Sequence, residues 1–323
     1  KGGWTNRNIL DWFLDYVWYC VKKYGDRVKH WIVLNEPLVF TGAGYFMGLH
    51  APGRKGLNNF LPALHHALLA QAEGARVIKG GHTKVEVGTT FSCSYIKSYS
   101  ANILDVKSAY RMDALLNRTC IEPSLGLGYP IEALPVLRKI EDYMQADDEK
   151  KLQHHFDFIG IQNYTREVVK HSMWVPYVGG RIIRASKRKV PHTVMDWEIF
   201  PTSIYHMLKK FGAYQKVKKI IVTENGAAFT DTLSNGKVND KARVIYLKKY
   251  IEQVLRAKKK GVPVHGYFVW SLLDNFEWAE GYIPRFGLVY VDYATQKRTP
   301  KSSAYWYSKF VNNAVVALEE IEQ

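Results

Sequence analysis

The chain has 323 residues, 47% of them hydrophobic, so it can bury a sizeable core in one or two domains. No apolar run approaches the length of a membrane helix, so we expect no membrane contact. Three widely spaced cysteines, Cys20, Cys93 and Cys120, form neither a disulfide framework nor a metal-ligand pattern. We therefore expect no metal or other cofactor, and a location in the reducing cytoplasm.

The basic balance of the chain raises the question of nucleic-acid binding. Lys and Arg outnumber Asp and Glu by 45 to 30, and the formal net charge is +15. The basic residues are spread along helical faces, as in LKKYIEQVLRAKKKG at 247–261, with no RNA-binding aromatic signature and no zinc-finger spacing. We expect a solvated surface and no nucleic-acid partner. The rival hypothesis predicts salt-sensitive retention on DNA.

Predicted helices and strands alternate along the chain. Apolar spacing and helix-ending glycines predict helices over 8–25, 61–81, 105–117, 147–156, 201–212, 240–261 and 303–321. Short apolar runs predict strands over 30–37, 84–92, 157–165, 219–226 and 264–275, with a longer excursion over 166–200. This order predicts an α/β fold with a parallel sheet covered by helices. One leading helix and five strand–helix units supply too few strands to close an eight-stranded barrel.

Two acidic residues lie where predicted strands end. Asn35-Glu36 ends one strand, and Glu224 ends another within IIVTENG. Substrates of parallel barrels bind at the carboxyl ends of the strands, so we expect both carboxylates on one face. Two acids on one face suggest glycoside hydrolysis, and a separation of roughly 5 Å predicts retention of anomeric configuration. The alternative is that each glutamate is only a structural hydrogen-bond partner.

The end of the last predicted strand is rich in aromatic residues. The stretch VWSLLDNFEWAEGYIPRFGLVYVD covers 269–292. Aromatic faces stack on the apolar CH surfaces of sugars, and an acid such as Glu277 can accept several hydroxyl hydrogen bonds. Trp270, Phe276 and Trp278 therefore form either a sugar platform or part of the core.

Three motifs in this order resemble glycoside hydrolase family 1, the β-glucosidases and their relatives. They are LNEP at 34–37, VTENG at 222–226 and WSLLDNFEW at 270–278. GDRVKHW at 25–31, DFIGI at 157–161, DWEIFP at 196–201 and RFGLVYVD at 285–292 extend the resemblance across nearly the whole chain. The resemblance implies a retaining mechanism on a (β/α)8, or TIM, barrel.

The resemblance also implies roles for individual residues. Glu36 matches the family's acid/base and Glu224 its nucleophile, and the charge of Glu224 is expected to keep Glu36 protonated until a glycosyl group neutralises it. Asn35 matches the residue that hydrogen-bonds the sugar 2-hydroxyl, and Tyr164 the one that holds the nucleophile. The remaining expected substrate-binding residues are Asn163, Trp197 on the leaving-group side, Trp270 under the glycone, Glu277 and Trp278 at its distal hydroxyls, and Phe286 closing that end.

The sequence departs from the family pattern in two places. Gln162 stands where the family commonly has Asn, so its contact is open. GGWTNRN at the start resembles the segment after the family's third strand, so residues 1–323 are expected to form a single catalytic domain without the first three strands. Those strands would supply a glutamine and a histidine for the glycone and an arginine beside the nucleophile. We expect another copy of the chain, or a separate N-terminal piece, to cover the open sheet edge.

Two further alternatives concern activity. A 6-phospho-β-glycosidase could share this scaffold, although Glu277 would repel a sugar phosphate and the segment after Trp270 lacks the Ser and Lys that such enzymes have there. The other alternative is a truncated fragment that binds sugar with weak or no turnover. The favoured prediction is a retaining β-glycosidase that acts on terminal β-D-glucosyl or related residues.

Overall fold

A computed structural model describes residues 1–81 and 84–312 of the chain. The last part of the helix predicted over 303–321 lies outside the described residues. Among the described residues, no helix combines the length and the apolar composition needed to cross a membrane.

A five-stranded parallel sheet forms the centre of the molecule. Its strands are β1 (His30–Asn35), β2 (Glu86–Ser92), β3 (Phe158–Gln162), β4 (Ile220–Asn225) and β5 (Val264–Val269), in that spatial order. Each neighbouring pair is parallel. The five predicted strands are therefore confirmed. Four of them end earlier than predicted, at Asn35, Gln162, Asn225 and Val269. Pro37 begins a short helix after β1, and the chain leaves the sheet at Trp270 after β5.

Six longer helices accompany the sheet within residues 1–81 and 84–312. They are α1 (Ile9–Tyr24), α2 (Leu57–Gly81), α3 (Ile103–Asp113), α4 (Thr202–Gly212), α5 (Lys241–Lys259) and α6 (Ser302–Asn312). Shorter helical turns are Gly3–Thr5, Pro37–Thr41, Gly42–Met47, Ala114–Arg118, Ile121–Ser124, Pro135–Tyr143, Asp148–Leu152, Ala185–Arg188 and Trp278–Glu280. The helix predicted over 147–156 is thus only the five-residue turn Asp148–Leu152, which matches its few apolar residues.

The excursion predicted over 166–200 contains secondary structure of its own. Arg166–His171 and Gly180–Ile182 join Tyr95–Ser98 in a three-stranded sheet. Two small antiparallel pairs complete the strands: Leu233–Ser234 with Lys237–Val238, and Val289–Val291 with Arg298–Pro300. These additions lie in connections that follow sheet strands, where they shape the surroundings of the strand ends.

Burial decreases from the centre of the sheet toward its two edges. All five residues of β3 are buried, because β3 has a neighbour on each side and helices over its outer face. Ile32 on edge strand β1 is 44% exposed and Phe268 on edge strand β5 is 60% exposed. The sheet is therefore an open segment of a barrel, as the count of five strand–helix units predicted.

Candidate active site

The carboxyl ends of four adjacent strands bring the predicted acids together. Asn35 of β1 pairs with Thr90 of β2, and Gln162 of β3 pairs with Glu224 of β4. Glu36 follows Asn35 directly, so both glutamates lie at the same end of the sheet. The charge of Glu224 acts on the carboxyl group of Glu36. The structure thus brings the two glutamates into one electrostatic environment.

Glu36 lies in a strained backbone position. Its φ is 47°, in the left-handed region. Glycine tolerates this region because it has no Cβ atom, and other residues rarely adopt it. Pro37 begins the next helical turn and restricts the residue before it as well. Such strain persists only where surrounding structure imposes it, and it clusters at functional sites.

Burial is the main influence on the ionisation of Glu36. Together with the negative charges of Glu224 and Glu277, burial raises the pKa of Glu36 to about 8, while a hydrogen bond with Ser92 acts in the opposite direction. At neutral pH the carboxyl group is therefore mainly protonated. A protonated carboxyl group can donate its proton to a leaving group.

Glu224 has hydrogen-bond donors at both carboxylate oxygens. Tyr164 Oη donates to Oε2 at 2.6 Å, and Gln162 Nε2 donates to Oε1 at 2.7 Å. Burial and the charge of Glu277 raise the pKa of Glu224, and the hydrogen bond from Tyr164 lowers it. Donors to both oxygens favour the charged form, which is the form that can act as a nucleophile.

The Asn-Gly that follows Glu224 lets the next strand end come close. A Cβ atom on Gly226 would lie 1.9 Å from the carbonyl oxygen of Trp270, so only glycine fits there. The amide of Trp270 also donates to the carbonyl of Asn225. Strand β4 ends at Asn225, where the backbone of Trp270 comes close to it.

Gln162, whose contact was open from the sequence, joins two of the predicted site residues. Its Nε2 donates to Asn35 Oδ1 at 2.7 Å as well as to Glu224. Thr90 Oγ1 donates to the same Asn35 oxygen at 2.8 Å. Gln162 and Thr90 are thus contact residues that the sequence analysis did not assign; the unusual Gln in the family motif was the one available signal.

Asn163 lies outside the pocket that its neighbours form. Its side chain is fully buried, donates to the carbonyls of Cys93 and Thr165, and accepts from Ser203 Oγ. Both ends of the amide are therefore committed to the protein interior. Asn163 was predicted to bind substrate, and its side chain instead ties β3 to helix α4.

Three aromatic side chains form a cluster that includes Tyr164, the hydrogen-bond donor to Glu224. Trp197 lies 5.2 Å from Tyr164 and 6.0 Å from Phe286, between ring centroids, and Tyr164 lies 6.1 Å from Phe286. Phe286 is 3% exposed, whereas Trp197 is partly exposed. The cluster forms an apolar wall beside the carboxylate.

The aromatic segment after β5 divides into buried and exposed parts. Trp270 is partly buried and hydrogen-bonds the carboxylate of Glu277, which lowers the Glu277 pKa against the larger upward effect of burial. Trp278 is 66% exposed and stacks near His50, with 6.0 Å between ring centroids. Phe276 is 54% exposed. Phe276 and Trp278 are therefore surface residues, and the core alternative for them is wrong.

A buried ion-pair network holds this segment in place. Asp274 accepts from the amide of Gly287 at 2.9 Å and pairs with Arg285 at 2.7 Å and Lys301 at 2.7 Å. Lys301 also pairs with Asp231. These bonds fix the loop from Trp270 to Phe286 against helix α6, so its aromatic residues have defined positions.

Comparison with known proteins gives this site a family. The family model described as glycosyl hydrolase family 1 matches residues 1–315. The chain belongs to glycosyl hydrolase family 1. The resemblance stated from the motifs is therefore confirmed, as is the predicted class of enzyme, a glycoside hydrolase.

Individual members of the family extend over most of the chain. A 1,4-beta-D-glucan glucohydrolase of Thermotoga neapolitana is 42% identical over 315 residues, which are 97% of this chain and 70% of the relative. A 6-phospho-beta-galactosidase of Clostridium acetobutylicum is 32% identical, and the match covers 95% of this chain and 70% of the relative. The solved family 1 β-glucosidase from Thermotoga maritima superposes with a TM-score of 0.92 at 41% identity, over 97% of this chain and 70% of that one. The barrel-type α/β fold is thereby confirmed.

Two cavities lie near residues of the candidate site in this family 1 chain. A narrow gap lined by Glu36 shares Leu38, Ser92 and Leu116 with an apolar cavity of about 460 Å³. A second cavity of about 360 Å³ adjoins Trp197 and has arginine side chains in its wall. Both volumes are in the range of small-molecule sites.

Proposed function

We propose that the chain is a retaining β-glucosidase in which Glu224 is the nucleophile and Glu36 the acid/base. The observation that supports this most strongly is the contrast between two neighbouring glutamates. Burial raises the pKa of Glu36 to about 8, whereas Glu224 accepts hydrogen bonds at both oxygens. Burial raises the pKa of Glu224 as well, but the Tyr164 hydrogen bond opposes that rise. Double displacement at a sugar requires one protonated acid and one charged nucleophile.

The first step forms a covalent intermediate. A carboxylate oxygen of Glu224 attacks the anomeric carbon while the bond to the glycosidic oxygen breaks. The proton of Glu36 moves to that oxygen, so the leaving group departs as a neutral alcohol. Tyr164 and Gln162 hold the Glu224 carboxylate in position for this attack.

The second step releases the sugar. Glycosylation removes the negative charge of Glu224, and that charge is one of the causes that raise the Glu36 pKa. The Glu36 carboxylate therefore becomes stable enough to take a proton from water. The water oxygen attacks the anomeric carbon from the side that the leaving group vacated, the bond to Glu224 breaks, and configuration is retained.

The proposed glycone contacts involve the side chains that were predicted to bind substrate. Asn35 lies at the end of β1 and is proposed to contact the 2-hydroxyl, while Trp270 stacks beneath the ring. Glu277 and Trp278 bind the distal hydroxyls. Phe286 closes the pocket through its packing against Tyr164. The names of the relatives favour glucose as the sugar.

The leaving group has an apolar cavity available on the Glu36 side. Since Glu36 protonates the glycosidic oxygen, the leaving group begins next to Glu36. The gap at Glu36 shares Leu38, Ser92 and Leu116 with the cavity of about 460 Å³. Its rim includes Met47, half exposed, and Val39, 36% exposed. We propose that aryl and alkyl leaving groups are preferred over a second sugar, which would leave its hydroxyls without partners there.

A 6-phospho-β-glycosidase is the second candidate, because one relative has that name. Glu277 disfavours it. This carboxylate is partly buried beside Trp270, where it would repel a phosphate on the sugar. Hydrolysis of p-nitrophenyl β-glucoside and of its 6-phosphate, measured in parallel, separates the two candidates.

The uncovered sheet edges motivate a proposal about assembly. Strands β1 and β5 each pair with one neighbour and expose Ile32 and Phe268. Open strand edges pair readily with other chains. We propose that a second copy or a complementing N-terminal fragment covers these edges. A stable, soluble monomer without a partner in size-exclusion chromatography contradicts this proposal.

Hydrolysis of an aryl β-glucoside by this chain, with Glu224→Ala as the control, tests the proposed function. We expect release of the aryl alcohol by the wild type and almost none by the variant. Equal rates for the two proteins exclude catalysis through Glu224. Absence of turnover in the wild type, with sugar binding retained, supports the alternative of a sugar-binding fragment.

A further inference from the structure

We propose that Gln162 is a positioning residue that connects the nucleophile Glu224 to Asn35. Its side chain fixes the orientation of the Glu224 carboxylate and of the Asn35 amide, which contacts the sugar 2-hydroxyl. This inference rests on the proposed function. It concerns a residue for which the family motif gave no contact. The structure provides the contact on both sides of Gln162.

Gln162 lies between the two groups that it connects. It is the last residue of β3, pairs with Ser92 of β2 and with Glu224 of β4, and is 1% exposed. Its Nε2 group has two hydrogens and two acceptors, Asn35 Oδ1 and Glu224 Oε1, each at 2.7 Å. Both hydrogens are therefore committed, and the amide is held from two sides.

The orientation of the Gln162 amide is determined by its acceptors. Turning the amide over would place Oε1 at 2.7 Å from a carboxylate oxygen of Glu224, which is repulsive. In the observed orientation Oε1 is buried and has no hydrogen-bond partner among the described residues. A buried oxygen without a donor is unfavourable, so the two donated bonds must outweigh that cost.

The same bonds determine how Asn35 is presented. Asn35 Oδ1 accepts from Gln162 at 2.7 Å and from Thr90 at 2.8 Å. Its Nδ2 group donates to none of the described residues and belongs to an exposed side chain. Asn35 therefore offers a donor to the substrate, and a sugar hydroxyl oxygen can accept it. Without Gln162 and Thr90, the amide could turn and offer an acceptor instead.

The length of the Gln162 side chain explains why one residue can serve both groups. Asn35 is on β1 and Glu224 on β4, so the bridge passes over the end of β2. Asparagine, which is common at this position in the family, is shorter by one methylene. In this chain the longer glutamine reaches an acceptor on each side.

Three variants test the proposal, because each removes a different part of the network, and a fourth is the control. Thr90→Val removes a donor from Asn35 only, Tyr164→Phe removes a donor from Glu224 only, and Gln162→Leu removes both. Gln71→Leu is the matched control: Gln71 is also a fully buried glutamine, but it bonds Thr89 and Ser124 away from the acids.

The first readout is the contribution of the 2-hydroxyl. The ratio of kcat/KM for an aryl β-glucoside to that for its 2-deoxy analogue is measured for each variant. We expect this ratio to fall about tenfold in Thr90→Val and Gln162→Leu, the size typical of a lost hydrogen bond. Tyr164→Phe and Gln71→Leu are expected to keep the wild-type ratio.

The second readout is the acidic limb of the kcat/KM pH profile, which reports the ionisation of Glu224. The titratable groups that face Glu224 are Glu36 from β1, Tyr164 after β3 and Glu277 after β5. Loss of a donor to the Glu224 carboxylate raises the pKa of Glu224. The acidic limb of the profile should therefore move to higher pH, by about one unit, in Gln162→Leu and Tyr164→Phe. Thr90→Val and Gln71→Leu should not move it.

Gln162→Leu is the one variant expected to give both signatures. If Gln162→Leu changes only overall activity or stability, which is the outcome expected for Gln71→Leu, then Gln162 is structural and the proposal is wrong. Calorimetric affinities for a non-hydrolysable thio-β-glucoside and its 2-deoxy analogue give the 2-hydroxyl ratio without turnover. A wild-type chain that neither hydrolyses the aryl glycosides nor binds the thioglycosides overturns the proposed function itself.

Discussion

Glu36 and Glu224 are the same residue type at the same end of one sheet, yet their surroundings differ. Glu224 lies near the end of β4, a strand with neighbours on both sides, and Tyr164 and Gln162 donate to its two oxygens. Glu36 follows edge strand β1 in a left-handed backbone position, where burial raises its pKa to about 8. The comparison shows that donors and burial, more than residue type, assign the roles of nucleophile and acid.

Removal of Glu224 is expected to have the largest effect. Glu224→Ala leaves no group to form the glycosyl intermediate, so kcat for aryl β-glucosides should fall by roughly 10⁴-fold or more. Added azide can occupy the vacated side and attack the anomeric carbon. We expect an α-glucosyl azide as the product, identified by NMR. A β-glucosyl azide would assign Glu224 to the opposite side of the sugar.

Removal of Glu36 is expected to have a smaller effect that depends on the leaving group. General acid catalysis contributes about 10²–10⁴-fold, so Glu36→Ala should lose that much on an alkyl glucoside. The loss in the first step should be small for a dinitrophenyl glucoside, because dinitrophenolate leaves without a proton. Azide should now give the β-glucosyl product. Equal losses on both substrates, measured by pre-steady-state kinetics, contradict the acid role.

The wild-type pH profile tests the ionisation states directly. Glu36 must be protonated and Glu224 ionised in the free enzyme, so kcat/KM should decline as pH rises through the Glu36 pKa of about 8. It should also decline as pH falls through the Glu224 pKa, which burial raises. The basic limb should be absent in Glu36→Ala. A basic limb that persists in this variant belongs to another group.

Substitution of Glu277 is expected to have the smallest effect. The charge of Glu277 acts on both catalytic glutamates. The negative charge of Glu277 raises the pKa of Glu36 and of Glu224. Glu277→Gln removes that charge, so both limbs of the profile should move to lower pH, by about half a unit or less for a screened contribution. KM for the glucoside should also rise if Glu277 binds sugar hydroxyls. Movement of one limb alone indicates that Glu277 adjoins only one of the two acids.

Much of this arrangement was predictable from the sequence, because it depends on local patterns. The five strands were visible as short apolar runs, and LNEP, VTENG and WSLLDNFEW placed polar residues at their carboxyl ends. The barrel-type fold and the family followed from the order of these motifs. The positions of Glu36 and Glu224 at one end of the sheet required no knowledge of distant contacts.

The consecutive residues Gln162 and Asn163 show where prediction from the sequence ended. The register between β3 and β4 shifts between Ile161 and Gln162. After this shift the Gln162 side chain reaches Glu224, while that of Asn163 turns into the interior toward Ser203. Strand pairing and register are long-range properties, and a single local shift decides which neighbour contacts the site. The sequence therefore identified the segment but not the residue.

A covalent glycosyl intermediate at Glu224 is what distinguishes a retaining mechanism from the alternatives, and it can be trapped. The substrate for trapping is a 2-deoxy-2-fluoro β-glucoside with a dinitrophenyl leaving group. Its fluorine slows both steps because it destabilises the oxocarbenium-like transition states. The activated leaving group keeps the first step fast enough for the intermediate to accumulate. Mass spectrometry of the digested protein should find the fluoroglucosyl group on the peptide that contains Glu224. A label on Glu36, or turnover without any covalent adduct, would contradict the account.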